Sequence, residues 1–223
     1  MLRQEVLQQL ANTIVSIKHA HPLRVAIDGI DASGKTMLAD ELAPWIEGQG
    51  RPIIRASIDG FHRPRQERYR RGPDSPEGYY EDSFDYAALR EVLLIPLGPH
   101  GTRHYHRAVF DVRADAPITT TDEDAPRNAV LLFDGIFLLR PELVDMWDYC
   151  IFVNVDFDVA LKRAIQRDLR LFGSPEAVQA RYLRRYFPGQ QLYLRAVEPH
   201  KRADVIVENN DPEHPGLVFR SKI

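Results

Sequence analysis

Residues 25–36 read V-A-I-D-G-I-D-A-S-G-K-T. Within them the fixed positions match G-x-x-x-x-G-K-[ST], a loop that cradles phosphate groups. An apolar run, Leu23 to Ile27, predicts a buried strand leading in, and a helical pattern starts at Thr36. Gly29 and Gly34 permit the tight turn that aims consecutive backbone N–H groups inward. The helix that follows begins with unpaired N–H groups and a positive dipole end, which favours an anion there. Lys35 has the reach and charge for the β- and γ-phosphates, and the Thr36 hydroxyl can ligate Mg²⁺. The expected nucleotide contacts are therefore Gly29, Ile30, Asp31, Ala32, Ser33, Gly34, Lys35 and Thr36.

The chain has 223 residues, 44% hydrophobic and 27% charged, with a formal net charge of −3. That length carries one sizeable core, predicted as a single domain over 1–223, with room for a small lid. The near-neutral balance argues against a mainly electrostatic nucleic-acid binder. No stretch approaches the ~18 apolar residues of a membrane span, and no signal-peptide pattern opens the chain, so a cytoplasmic location is expected. Cys150 sits in an apolar run and reads as a core residue. Composition leaves a homo-oligomer open.

Strands alternate with helices along the chain, which predicts an α/β fold with a mainly parallel sheet. Strands are expected at 23–28, 52–58, 129–133, 149–155 and 203–207. Helices are expected at 2–17, 36–47, 86–94 (capped by Asp85), 157–172 and 175–187. Pro188-Gly189 is expected to interrupt before a helix resumes at 190–197. Residues 63–83 have no clean period and read as a long functional loop. Residues 103–112 suggest a hairpin arm, and 115–127 suggest turns.

Ligands of an open parallel sheet gather beyond the carboxyl ends of its strands. Asp59 ends the second predicted strand and Asp134 the third, and each is followed by glycine. Carboxylates there can support Mg²⁺ or take a proton from an attacking hydroxyl. Asp156 and Asp158 precede a helix directly and read as capping residues. Arg163, Arg167 and Arg170 share one face of the 157–172 helix, with Leu161, Ile165, Leu169 and Phe172 roughly opposite. An arginine face that runs into the Gly173-Ser174-Pro175 break can close over transferring phosphates. The polar aromatic patch Arg103–Arg107 offers stacking and hydrogen bonds to a base and ribose, or is simply an exposed hairpin. His104 and His106 lack a third partner at metal-binding spacing.

Taken together, several segments resemble the uridine kinase-like branch of P-loop kinases, which also contains phosphoribulokinase and a pantothenate kinase type. They are the phosphate loop with Asp31, D-G-F-H at 59–62, D-S-F-D-Y-A-A-L at 82–89 and F-D-G-I-F at 133–137. I-F-V-N-V-D at 151–156, K-R-x-x-x-R-D at 162–168 and A-D-V-I-V at 203–207 complete the set. The resemblance spans about residues 20–210. It implies a three-layer P-loop nucleoside-triphosphate-hydrolase fold with a hairpin flap at about 60–115 and a helical lid at about 163–187.

The same resemblance implies MgATP-dependent phosphorylation of a small-molecule hydroxyl, for uridine the 5′-hydroxyl. Asp59 would be the general base, with Lys35, Arg163 and Arg167 as its catalytic partners and Arg170 on the nucleotide. Thr36 and Asp134 would hold Mg²⁺. His62, Tyr79, Tyr80, Tyr105 and Arg181 are the expected acceptor contacts. The chain departs from the branch at several points. Ala164 and Phe172 stand where arginines are common, Arg181 stands where a glutamine is common, and 103–111 lacks the usual Tyr-Asp-Phe pattern. A pantothenate- or sugar-type acceptor is the alternative within the class. A regulatory NTPase is the alternative outside it, although the chain carries no N-K-x-D-like guanine-reading motif.

Overall fold

The computed structural model describes residues 1–119 and 121–220. The chain runs α1 (Arg3–Ser16), β1 (Leu23–Gly29), α2 (Lys35–Glu47) and β2 (Ile53–Ser57). Three short helices follow, α3 (Arg65–Arg68), α4 (Pro76–Asp82) and α5 (Tyr86–Leu89). Four two-residue strands come next: β3 (His104–Tyr105), β4 (Phe110–Asp111), β5 (Ala116–Pro117) and β6 (Glu123–Asp124). Then come β7 (Val130–Gly135), β8 (Tyr149–Asn154), α6 (Phe157–Phe172), α7 (Pro175–Arg181), α8 (Phe187–Val197) and α9 (Pro199–Arg202). The chain closes on β9 (Val205–Glu208) and β10 (Gly216–Phe219).

Six strands form the main sheet in the order β10-β9-β8-β1-β7-β2. All pairings are parallel except that of β10 with β9. Side chains alternate between the two faces of a strand. Leu23, Val25 and Ile27 of β1 therefore join Val130, Leu132, Ile151 and Val153 beneath α1 and α2. Ala26, Leu131, Phe133 and Phe152 face the opposite layer, built on Phe61, Phe84, Phe137 and Tyr193. Burial on both faces is why these strands read as continuous apolar runs. β1 lies between β7 and β8, where the strand order reverses, so the crevice opens at its carboxyl end.

Several sequence expectations need correcting. Residues 63–83 are not one long loop. They hold α3 and α4, and the Ser75 hydroxyl caps α4 by accepting from the Gly78 N–H at 2.9 Å. Pro188 does not interrupt its helix. A π turn at Tyr182–Tyr186 directly precedes α8, and Pro188 falls in the first turn of that helix, where a missing N–H is tolerated. Asp156 occupies the cap position of α6 but makes no cap bond. Its carboxylate accepts from Asn210 Nδ2 at 2.9 Å. The inner face of α6 is Ala160 and Ala164, with Leu161, Ile165 and Phe172 half-buried beside them and Leu169 40% exposed. The β10 edge strand has no counterpart among the expected elements. The 103–112 arm pairs through β3 with β6 and through β4 with β5, which puts short strands where turns were expected at 115–127. Thr120 of that stretch lies outside the described residues.

Cys150 is buried within β8, as its apolar neighbours predict. Asp85 caps α5 through the Ala88 N–H at 3.0 Å. Among the described residues no helix is long and apolar enough to cross a membrane.

Candidate active site

The phosphate loop joins β1 to α2 through backbone at positive φ. Gly29 has φ +154° and Gly34 φ +95°. A Cβ on Gly29 would lie 2.5 Å from the Val153 carbonyl oxygen of β8, and one on Gly34 2.8 Å from Asn209 Nδ2. Ala32 adopts the left-handed region at φ +59°. Asn209, just past β9, donates to the Ser33 carbonyl at 2.7 Å and braces the loop from behind. The Ser33 hydroxyl is buried without a partner among the described residues. Positive-φ glycines packed to contact and an orphaned hydroxyl fit a cradle built for an anion.

Lys35 arches back over this loop, its Nζ donating to the Ile30 carbonyl at 2.7 Å. Burial pulls its pKa down, while the charges of Asp31, Asp28 and Asp134 push it up. The Thr36 hydroxyl donates to Asp134 Oδ2 at 2.6 Å, and Arg55 holds the other oxygen of that carboxylate at 3.0 Å. Parallel register sets Asp134 beside Ile27 of β1 and Ser57 of β2. A hydroxyl and a carboxylate side by side are the hard oxygen donors that Mg²⁺ takes, so the Thr36–Asp134 pair fits that ion.

Asp59 follows β2 on a 3₁₀ turn at Ile58–Phe61. Its side chain is 76% accessible, only partly shielded by the surrounding protein. That partial desolvation, with the like charges of Asp31 and Asp134, raises its pKa, and His62 opposes the rise. His62 stacks on Phe84 at 4.6 Å, and its Nδ1 lies 3.2 Å from the Ser83 carbonyl. Burial lowers the His62 pKa, which favours the neutral ring. Nδ1 donates to Ser83 and Nε2 lies 3.7 Å from Asp59 Oδ1, whose charge pushes the His62 pKa back up. Gly60 receives the flap directly. Val109 N–H donates to its carbonyl at 2.8 Å, and a Cβ on Gly60 would lie 2.5 Å from that of Ala108.

The three arginines of α6 separate. Arg167 chelates Asp168 at 2.8 and 3.0 Å and donates to the Tyr182 hydroxyl at 2.9 Å. Its charge is felt at Lys35, which puts it in the neighbourhood of the phosphate loop. Arg163 instead donates to the carbonyls of Asn209 at 2.8 Å and Asn210 at 3.0 Å, fastening α6 to the segment after β9. Arg170 is exposed on the last turn and makes no hydrogen bond or ion pair among the described residues.

The expected acceptor contacts also divide. His62 adjoins Asp59. The Tyr79 hydroxyl donates to Asp31 at 2.6 Å and so reaches the phosphate loop. Tyr80 lies under the Arg140 guanidinium at 4.2 Å and packs on Phe137. The Tyr105 hydroxyl reaches Glu123 at 3.3 Å within the flap. Arg181 donates to the Pro73 carbonyl at 2.6 Å and to the Tyr69 hydroxyl at 3.0 Å. Arg185 joins it, fully buried, donating to the carbonyls of Pro73 at 2.9 Å and Arg68 at 3.1 Å. The pair clips the π turn onto the 68–74 segment. Arg185→Met removes those donors and leaves partly buried carbonyls without them, so a loss of about 1–3 kcal/mol is expected in urea unfolding.

Sequence reasoning missed Asp28, Arg55, Gln190, Tyr193 and Asn209. Only Asp28 carried a signal, as a charge inside an apolar strand. It is fully buried, accepts from the Tyr193 hydroxyl, and its pKa is pushed by burial from 3.8 to about 6. A raised carboxylate pKa stabilises the fold most below pH 3.8, and that contribution is lost as pH rises through about 6. Asp28→Asn carries no such titration. Relative to wild type its unfolding free energy is expected to improve by up to about 3 kcal/mol from pH 4 to pH 7. Urea melts at the two pH values check this.

A mainly parallel sheet with this strand order, a phosphate loop at its switch point and acidic residues at neighbouring strand ends define a P-loop kinase. No protein-family model matches the chain. A uridine kinase of Alkaliphilus metalliredigens is 30% identical over 192 residues, covering 83% of this chain and 86% of that protein. Uridine-cytidine kinase B of Dictyostelium discoideum is 29% identical over 190 residues, covering 84% and 74%. A solved structure described as a possible uridine kinase from Bacillus stearothermophilus superposes with a TM-score of 0.73. It is 24% identical and covers 91% of this chain and 97% of that one. The chain belongs to the uridine kinase family, a family of ATP-dependent small-molecule kinases.

Proposed function

We propose that this protein transfers the γ-phosphoryl group of MgATP to the 5′-hydroxyl of a pyrimidine nucleoside, uridine first. Family membership supports the reaction class, and one juxtaposition supports the chemistry. Asp59, accessible and 3.7 Å from His62, lies close enough to the phosphate loop to feel Lys35 and Asp134. Loop amides and Lys35 hold the phosphates. The acceptor oxygen bonds to the γ-phosphorus as the bond to ADP breaks, and its proton passes to Asp59. Arg167 neutralises charge on the transferring group, and residues 163–187 act as the lid, with Arg170 free to join it. Thr36 and Asp134 would hold Mg²⁺, which supplies further charge neutralisation at the phosphates. His62 and Tyr79 border the acceptor.

An acceptor panel tests the reading. The purified protein is given MgATP with uridine, cytidine, purine nucleosides, pantothenate or sugar phosphates, and phosphorylated products are measured. Turnover of uridine or cytidine well above the rest is expected. Preference for pantothenate or a sugar phosphate, or nucleotide hydrolysis indifferent to every acceptor, overturns it.

A further inference from the structure

Asp31 is an odd occupant of a phosphate loop. The loop binds anions through backbone N–H groups and Lys35, and a carboxylate adds the wrong charge for that task. The structure turns it elsewhere. Its Oδ2 accepts from the Tyr79 hydroxyl on α4 at 2.6 Å and from Gln190 Nε2 on α8 at 2.7 Å. Its backbone N–H donates to Gln190 Oε1 at 3.4 Å, so Gln190 grips the residue at both ends. Tyr79 and Gln190 are themselves buried, which fixes the carboxylate in one orientation. The other oxygen, Oδ1, accepts no hydrogen bond among the described residues, and it is not sealed from solvent. The charge of Asp31 is felt at Asp59, His62, Lys35 and Arg167, so the residue stands where base, phosphates and lid meet.

An oriented carboxylate with one free oxygen recognises a hydrogen-bond donor. A nucleoside whose 5′-hydroxyl lies at Asp59 carries its ribose hydroxyls next to that point, and the 3′-hydroxyl is the nearer along the ring. We infer that Asp31 serves the acceptor and not the nucleotide, its Oδ1 accepting a hydrogen bond from the ribose 3′-hydroxyl while Tyr79 and Gln190 hold it in place. This rests on the nucleoside-kinase reading above. It makes Asp31 a specificity residue. An acceptor lacking that hydroxyl leaves the carboxylate without its partner, and a site built around a substrate hydroxyl rejects such analogues strongly.

The test compares uridine with 3′-deoxyuridine on the wild type, Asp31→Asn and Asp31→Ser, with nucleotide affinity measured by equilibrium binding of a fluorescent ATP analogue. Thermal melts confirm that each variant is folded, and the Asn variant keeps an oxygen for Tyr79. The wild type is expected to favour uridine in kcat/KM by roughly 10- to 100-fold, the range of a charge-assisted hydrogen bond. Both variants are expected to lose a similar factor on uridine, mainly in KM, and to treat the two nucleosides alike within about threefold. ATP-analogue affinity should change less than the acceptor KM. Variants that still discriminate, or that lose ATP-analogue affinity instead, overturn the assignment while leaving the nucleoside-kinase reading intact. A wild type that phosphorylates neither nucleoside overturns both.

Discussion

Replacing Asp59 with Asn is expected to lower kcat by about 10³-fold, within the usual range for a lost general base. The change keeps the shape of the residue and removes only its ability to take a proton. ATP affinity should hold, because the phosphates are gripped by the loop amides and Lys35. The pH profile gives a second reading. Asp59 must be ionised to accept the hydroxyl proton, and its cleft raises its pKa above the ordinary carboxylate value. Wild-type kcat/KM should therefore fall as pH drops through that raised value. The residual activity of Asp59→Asn should lack this acidic limb. Steady-state kinetics from pH 4.5 to 8 measure both. Unchanged kcat in the Asn variant removes Asp59 as the base.

Replacing Lys35 with Ala should be at least as damaging, with a loss of about 10³-fold or more in kcat/KM. The ammonium is buried against the loop, 2.7 Å from the Ile30 carbonyl, among three carboxylates whose charge favours its protonated form. Its removal leaves the developing phosphate charge facing Asp28, Asp31 and Asp134 with less to oppose them. Transition-state stabilisation and nucleotide binding should therefore both suffer, whereas Asp59→Asn affects turnover alone. A Lys35→Ala protein with wild-type turnover is incompatible with phosphates held at this loop.

The parts of the fold that were readable in sequence are those with a strong local cause. Strands buried on both faces read as apolar runs, and β1, β7 and β8 lie within a residue or two of their expected limits. Asp134 was visible because it ends such a run, and Asp59 because it follows β2, an edge strand whose residues alternate half-buried and buried. The failures have causes too. The β10 edge strand exposes Val218 and Phe219 and is set by pairing with β9, which no local period announces. Pro188 sits in the first turn of a helix, directly after a π turn that leaves no mark on composition. Arg163 and Arg167 lie on one helical face but diverge. Asn209 and Asn210 carbonyls capture the first, and Asp168 with Tyr182 the second. The Asp31–Gln190 contact joins residues 159 positions apart, beyond any spacing rule. Strand ends thus give the reacting groups away, while the residues that orient them arrive from distant helices.

The most direct test of phosphoryl transfer at this cleft is the product itself. Wild-type protein is incubated with MgATP and uridine, and ³¹P NMR follows every phosphorus-bearing species. Uridine 5′-monophosphate and ADP are expected to appear in equal amounts, with no phosphate ester at the 2′ or 3′ position and negligible free phosphate. ADP and inorganic phosphate accumulating at the same rate with or without uridine would contradict the account.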